Sequence, residues 1–269
     1  MEKSEWLARV RAKRAFLLDM DGVVYCGDVL LPGVKEFLAW ARGAGKRCLF
    51  LTNNSFYTPG ELARRLRGMG LEASPQDFYT SAMAAADFCL EQSGSPSAWA
   101  IGASGLFEAL EEAGVRTTDV SPEFVIAGES LEGYGFEQMS KALRFVLGGA
   151  RLLATNADIT GPTPEGPIPA TGAMVAPLEI ASGRKAYVVG KPNVMMFRRA
   201  LDRLGVAASD AVMVGDSMGT DIRGGLESGL ATVLALSGLT QLEDLPNYAY
   251  RPQVVVKGPG DLIPAGAGE

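Results

Sequence analysis

The chain has 269 residues, 31 acidic against 25 basic side chains and a formal net charge of −6, so it lacks the basic footprint of a nucleic-acid binder. It contains no histidine, which excludes Ser-His-Asp triads, phosphohistidine chemistry and histidine-ligated zinc. Its three cysteines, Cys26, Cys48 and Cys89, are too few and too scattered for a disulfide framework or a zinc site.

The length suits two small domains rather than one compact body. Segment 1–14 is charged and interrupted, with Glu2, Glu5 and Trp6 among Arg9, Arg11, Lys13 and Arg14, and reads as a short amphipathic helix. It has no signal-peptide core, and no apolar run approaches the roughly 18–20 residues that span a bilayer. A cytoplasmic protein without membrane association is expected.

Residues 15–18 form an apolar strand that runs into Asp19-Met20-Asp21-Gly22. In an open parallel sheet, ligands bind beyond the C-terminal ends of the strands. Two acids this close repel each other, so one pKa should rise. A divalent metal would hold one ionised and leave the other to donate and take a proton. The plain alternative is a pair of turn acids before a glycine. A helix over 34–44 follows, with Val34, Phe37, Leu38 and Ala41 on one face.

The next strand, 46–51, delivers Thr52-Asn53-Asn54-Ser55, whose hydroxyls, amides and exposed backbone N–H groups suit phosphate oxygens. An asparagine-rich turn capping the helix over 59–69 is the competing reading. The middle of the chain has its own α/β rhythm at 98–101, 106–113, 124–127, 136–147 and 151–153, and a Pro/Gly-rich stretch at 161–172 then breaks it.

Two further strand ends carry chemistry. Lys191, in Val188-Val189-Gly190-Lys191-Pro192-Asn193, stands ahead of a proline suited to the first turn of a helix. It would neutralise the acids and a phosphoryl group, although a surface lysine is the other reading. Strand 211–214 brings Asp216 into a glycine-bounded turn, where it fits a hard-metal ligand. Asp221 opens a helix over 220–228, either as an orienting acid behind the metal ligands or as a plain first-turn acid. Gly215-x-Ser217-x-Gly219 imitates a nucleophile elbow, but the base that Ser217 would need is missing. Strands at 231–235 and 253–256 complete the series. The expected fold is α/β, a doubly wound parallel sheet in residues 1–81 and 188–269, with an α/β domain at 82–187 inserted into it.

Taken in order, DMDGVVY at 19–25, LTNNS at 51–55, GKPN at 190–193 and VGDSMGTDI at 214–222 resemble the haloacid dehalogenase-like phosphatases, in their NagD/4-nitrophenylphosphatase-like branch. The resemblance spans nearly the whole chain. ATNADITGPTPEGPIPATGA at 154–173 is similar to that branch's class II cap.

The resemblance implies a Rossmann-like core and a Mg²⁺-dependent phosphatase of small phosphorylated metabolites that works through an aspartyl-phosphate. Asp19 would be the nucleophile and a metal ligand. Asp21 would be the acid/base and give the metal its backbone carbonyl, and Asp216 would complete the metal ligands. Lys191 would pair with Asp19 and the phosphate. Thr52 and Asn53, with Asn54 beside them, would hold the phosphoryl group, and Asp221 would stand behind the metal ligands.

Cap residues Thr155, Asn156 and Asp158, and the segment 171–175, are candidates for substrate contact. Ala157 and Ala170 depart from the branch's usual Pro and Gly, so the substrate stays open among nucleotides, sugar phosphates, glycolytic side products and pyridoxal phosphate. Self-association through the cap is also left open. Rival readings are a phosphotransferase or mutase using the same acids, a receiver-type domain, and a non-catalytic metabolite binder.

Overall fold

The run Ala15–Leu18 is buried at every position. Continuous apolarity without alternation is what a strand covered on both faces requires. In the computed structural model, which describes residues 3–161 and 165–266, this strand lies inside a six-stranded sheet. The order across the sheet is Val254–Val256, Ala231–Ala235, Ala211–Gly215, Ala15–Leu18, Arg47–Thr52, Phe78–Thr80. The first five of these pair in parallel. Leu18 stands opposite both Val214 and Phe50, so the residues that follow these three strands leave along one edge.

The helix Val34–Gly43 buries Val34, Phe37, Leu38 and Ala41, the stripe expected of a 3.6-residue period. Phe37 meets Phe16 edge-on, with ring centroids 5.2 Å apart. The longer helix Val194–Leu204 ends at Gly205, which takes the left-handed conformation (φ 58°) that releases the chain from the helix.

The chain divides into two compact units. One comprises the residues up to Thr52, Arg65–Tyr79 and Lys191 onward; the other comprises Asn53–Arg64 and Thr80–Gly190. The second unit therefore takes in 53–64 as well as the 82–187 segment.

Its own sheet is parallel throughout, in the order Tyr187–Val188, Arg151–Ala154, Phe124–Ala127, Ser97–Ile101, Arg116–Thr117. Trp99, Val125 and Leu152 from these strands pack with Ala142 and Val146 of the helix Phe136–Leu147 and with Val175 and Leu178 of the helix Thr171–Ser182.

Two expectations need correction here. The Pro/Gly-rich stretch at 161–172 does not simply interrupt the order. Thr160–Gly161 pairs antiparallel with Ile168–Pro169, and Thr171 then opens a twelve-residue helix. Residues 162–164 of that stretch lie outside the described residues, as do 1–2 of the N-terminal segment and 267–269 at the other end. The second correction concerns Lys191. The strand before it, Tyr187–Val188, belongs to the five-stranded sheet, so no strand of the six-stranded sheet delivers this lysine. Among the described residues no helix is long and apolar enough to cross a membrane.

Candidate active site

At the end of the Ala15–Leu18 strand, the Asp19 N–H still donates to the Val214 carbonyl at 2.9 Å. The chain then turns sharply. Gly22 adopts φ 76°, and the N–H groups of Val23, Val24 and Tyr25 all point at the Met20 carbonyl, at 3.2, 2.8 and 3.2 Å. A residue with a β-carbon is strained at that φ, and at Gly22 its Cβ would also strike Asp216 and Gly238. The turn thus holds Asp19 and Asp21 rigidly at the sheet edge.

Lys191 is 2% exposed and bridges two carboxylates, its Nζ 2.6 Å from Asp19 Oδ1 and 2.7 Å from Asp221 Oδ1. A solvated surface lysine is thereby excluded. Burial opposes its charge, but Asp19 and Asp221 outweigh that and hold its pKa above the ordinary lysine value. The proline after it does not open the helix. Asn193 is the cap, its side chain accepting from the Met195 N–H at 2.9 Å, and the helix starts at Val194.

Asp216 is tethered from a loop distant in sequence. Its Oδ2 accepts from the Leu239 N–H at 2.6 Å, and its carbonyl accepts from the Thr240 N–H at 3.0 Å. Burial first, and the charge of Asp19 second, raise its pKa to about 6.

Asp221 is fully buried, not a solvated first-turn acid. It sits in a π-helical turn, Met218–Ile222, that precedes the short helix Arg223–Glu227. Its Oδ2 accepts from the Ser217 N–H at 3.1 Å, while Oδ1 holds Lys191. Burial and the charge of Asp19 lift its pKa above the usual carboxylate range. Ser217 itself caps the turn, its Oγ accepting from the Thr220 N–H at 3.3 Å.

Asp21 carries its carboxyl at the solvent-facing edge of the turn. Desolvation by the surrounding protein and the charge of Asp19 raise its pKa, against the hydrogen bond from Tyr25 and the charges of Arg65 and Lys191. Oxygens of Asp19, Asp216 and Asp221 lie within 4.8 Å of one another. The set is all hard oxygen, as Mg²⁺ requires, and burial first, with the neighbouring charge of Asp19 second, raises the pKa values of Asp216 and Asp221, both of which a bound cation would offset. The residues fit such an ion.

Thr52 is buried at the end of the Arg47–Thr52 strand, two positions past Phe50, the partner of Leu18. The other expected substrate contacts gather within the second unit. Asn53 Nδ2 lies 3.4 Å from Asp158 Oδ2, the Asn53 carbonyl accepts from Asn156 Nδ2 at 2.9 Å, and Asn156 Oδ1 accepts from the Asp158 N–H at 3.1 Å. Thr155 is buried with its hydroxyl 3.0 Å from Ser55 Oγ. The Asn54 side-chain oxygen is used for capping, accepting from the N–H groups of Phe56 and Tyr57 at 3.1 and 3.0 Å.

One residue of this cluster was not anticipated. Glu129 Oε2 accepts from the Ser55 N–H at 2.5 Å, and the Glu129 N–H donates to Ser55 Oγ at 3.0 Å. Burial raises its pKa despite the Ser55 N–H, with Asp158 adding to the rise. Glu129→Ala leaves that N–H without its acceptor and is expected to cost about 1–3 kcal/mol of stability. Glu129→Gln keeps an acceptor oxygen and should lose less, which a comparison of urea midpoints would check. Outside these clusters, the Cys48 and Cys89 thiols are pushed by burial to about 11 and about 12 and stay protonated at neutral pH.

Comparison with known proteins gives this arrangement its relatives. The family model for haloacid dehalogenase-like hydrolases matches residues 16–116, and a second, haloacid-dehalogenase-hydrolase-like model matches 188–262. Dihydroxyacetone phosphatase of Corynebacterium glutamicum (strain R) is 42% identical over 248 residues, covering 92% of this chain and 90% of that protein. Ribonucleotide monophosphatase NagD of Escherichia coli (strain K12) is 41% identical over 236 residues, 88% of this chain and 92% of that one. The crystal structure of a glycerol phosphate phosphatase from Mycobacterium tuberculosis in complex with magnesium superposes with a TM-score of 0.88 at 31% identity, covering 94% of this chain and 77% of that one. Similarity along nine-tenths of the sequence, on a shared fold, makes this chain a member of the haloacid dehalogenase-like hydrolase family.

Proposed function

We propose that the chain hydrolyses small phosphomonoesters in two in-line displacements. The observation that carries this reading is the cluster at the sheet edge, where Asp19 is held at 2.6 Å by a buried lysine and lies among further carboxylates. Such a cluster is arranged to hold an anionic group only with added positive charge. In the first displacement an Asp19 oxygen attacks phosphorus and the bond to the leaving oxygen breaks, while Asp21 gives that oxygen a proton. In the second, Asp21 takes a proton from water as the water oxygen attacks the same phosphorus, and the Asp19 carboxylate is released.

Lys191 offsets the charge of Asp19 and of the phosphoryl oxygens. The Thr52 hydroxyl, at the same edge of the sheet, is assigned to a phosphoryl oxygen. Mg²⁺ would be held by the carboxylates of Asp19 and Asp216 and by the Asp21 carbonyl, and when bound it would neutralise charge on the phosphoryl group. Both oxygens of Asp221 already accept hydrogen bonds, from Lys191 and Ser217, which suits a place behind the metal ligands. The named activities of the relatives, on dihydroxyacetone phosphate, ribonucleotide and glycerol phosphate esters, support a small phosphorylated metabolite as the substrate class.

A panel of phosphorylated metabolites assayed for released phosphate tests the reading. Activity is expected with Mg²⁺, to vanish with EDTA and to return when Mg²⁺ is restored in excess. Equal turnover in metal-free protein would remove Asp216 from its role. A phosphorylated product in place of free phosphate would make the chain a phosphotransferase.

A further inference from the structure

Beyond these assignments, we propose that Tyr25 is a positioning residue that fixes which oxygen of Asp21 exchanges the proton with the leaving group and with water. This rests on the reading of Asp21 as acid and base. Tyr25 is only 1% exposed, and its hydroxyl donates to Asp21 Oδ2 at 3.2 Å. Among the described residues this is the one side-chain hydrogen bond to that carboxyl group.

The backbone ties the same two residues together. The Tyr25 carbonyl accepts from the Gly22 N–H at 2.8 Å, and Asp21 and Tyr25 form a β-bridge. On its other side the ring carries the Arg65 guanidinium, 4.6 Å from the centroid. Arg65 is itself anchored by the Gly27 carbonyl at 2.8 Å and by Asp28 Oδ1 at 3.1 Å. The phenol is therefore held in place from both ends, while the carboxyl group it touches lies at a solvent-facing edge.

The consequence is a division of labour between two otherwise equivalent oxygens. A protonated carboxyl group has one hydroxyl oxygen and one carbonyl oxygen. A donor fixed on Oδ2 makes that the carbonyl oxygen and leaves the proton on Oδ1. In the first displacement, Oδ1 passes its proton to the departing oxygen as the P–O bond breaks. The negative charge that develops spreads to Oδ2, where the Tyr25 hydrogen bond strengthens because its acceptor is now ionised. In the second displacement, Oδ1 recovers a proton from the attacking water. Tyr25 keeps its own proton throughout. Without the phenol, the carboxyl group rotates or carries its proton on the wrong oxygen.

The test is Tyr25→Phe, which keeps the ring, its packing and the Arg65 contact. With Mg²⁺ present, single-turnover release of the leaving group is measured for glycerol phosphate and for 4-nitrophenyl phosphate. An alkoxide must be protonated as it leaves, whereas nitrophenolate need not be. We expect release from glycerol phosphate to slow by about ten- to a hundredfold, the range for losing a hydrogen bond to a charged group. Release of nitrophenol should change less than about twofold.

The ratio of the two rates is taken on one preparation, so a partly unfolded sample lowers both alike and leaves it unmoved. An unchanged ratio overturns the role of Tyr25. In an Asp21→Asn background, adding Tyr25→Phe should leave the ratio where Asp21→Asn alone puts it, since the amide has no carboxyl proton for Tyr25 to position. A further loss there would likewise overturn the role. Absence of metal-dependent turnover by the unmodified chain is seen before any variant is made, and it would overturn the parent reading along with this one.

Discussion

Asp21→Asn, mixed with 4-nitrophenyl phosphate and Mg²⁺ and quenched in acid, is expected to yield a phosphorylated peptide containing Asp19. The first displacement expels nitrophenolate, which needs no proton, so the amide delays it little. The second requires a base to deprotonate water whatever the substrate was, and an amide cannot serve. General acid–base groups contribute about 10²–10⁴-fold, enough for the intermediate to outlast mixing and quenching. Steady-state turnover should fall by that factor. Asp19→Asn should give no phosphopeptide and a deeper loss, on the order of 10⁴-fold or more, because no other group there replaces the nucleophile. Phosphate released by Asp21→Asn with oxygen from labelled water, and with no phosphopeptide at any time, would reduce Asp19 to a ligand.

Lys191→Met is expected to combine a large loss of activity with a large loss of stability. The lysine is buried between Asp19 and Asp221, and removing one partner of a buried ion pair typically costs about 3–5 kcal/mol because the other charge is left uncompensated. The sign of the pH dependence follows from Asp221. Its pKa is already raised in the folded protein, and without Lys191 it must rise further. An acid with a raised folded pKa binds its proton more tightly folded than unfolded, so the variant should be most stable at acidic pH. It should lose ground as pH climbs from the unfolded carboxylate range toward the folded value. Urea midpoints of the variant and its parent at pH 5 and pH 8 check this, and a difference that does not widen with pH would contradict it. Activity should drop roughly 10²–10³-fold, the usual cost of losing one charge-stabilising group.

How much could be read from the sequence depended on whether local pattern or long-range assembly decided the outcome. The central strands were plain, since Ala15–Leu18 and Ala211–Gly215 are buried at every residue and each ends in a polar turn. The inserted α/β rhythm showed for the same reason, through Ser97–Ile101 and Phe124–Ala127. The helix Ser81–Gln92 was not anticipated because alanines occupy four of its twelve positions and no clear apolar stripe forms. Thr171–Ser182 hid behind Gly172 and the internal Pro177, both of which argue locally against a helix.

Site residues divided along similar lines. Apolar strands running into Asp19 and Asp216 advertise an edge, but the packing of Lys191 against Asp221 comes from folding that brings residues thirty positions apart together. Glu129 carried no motif at all. Only the fold sets it against Ser55, 74 residues earlier in the chain. The Asn54 side-chain oxygen shows the opposite case, where the local turn after the strand uses an atom that the residue type alone does not commit to capping.

The pairing of Ala15–Leu18 with Ala211–Gly215 also bears on how the chain is made. The first strand leaves the ribosome early and meets Arg47–Thr52 soon after, but its other edge has no partner until nearly two hundred more residues have been added. At roughly 5–20 residues per second, that edge stays open for about 10–40 s. Throughout this interval a flat apolar strand presents unpaired N–H and C=O groups, the surface most prone to pairing with a neighbouring chain. Asp216 and Asp221 follow directly on that same late strand. A nascent chain stalled before Ala211 would thus expose a sticky strand and hold Asp19, Asp21, Tyr25 and Lys191 without Asp216 and Asp221, so completion of the sheet and of its carboxylate cluster become a single event at the end of synthesis.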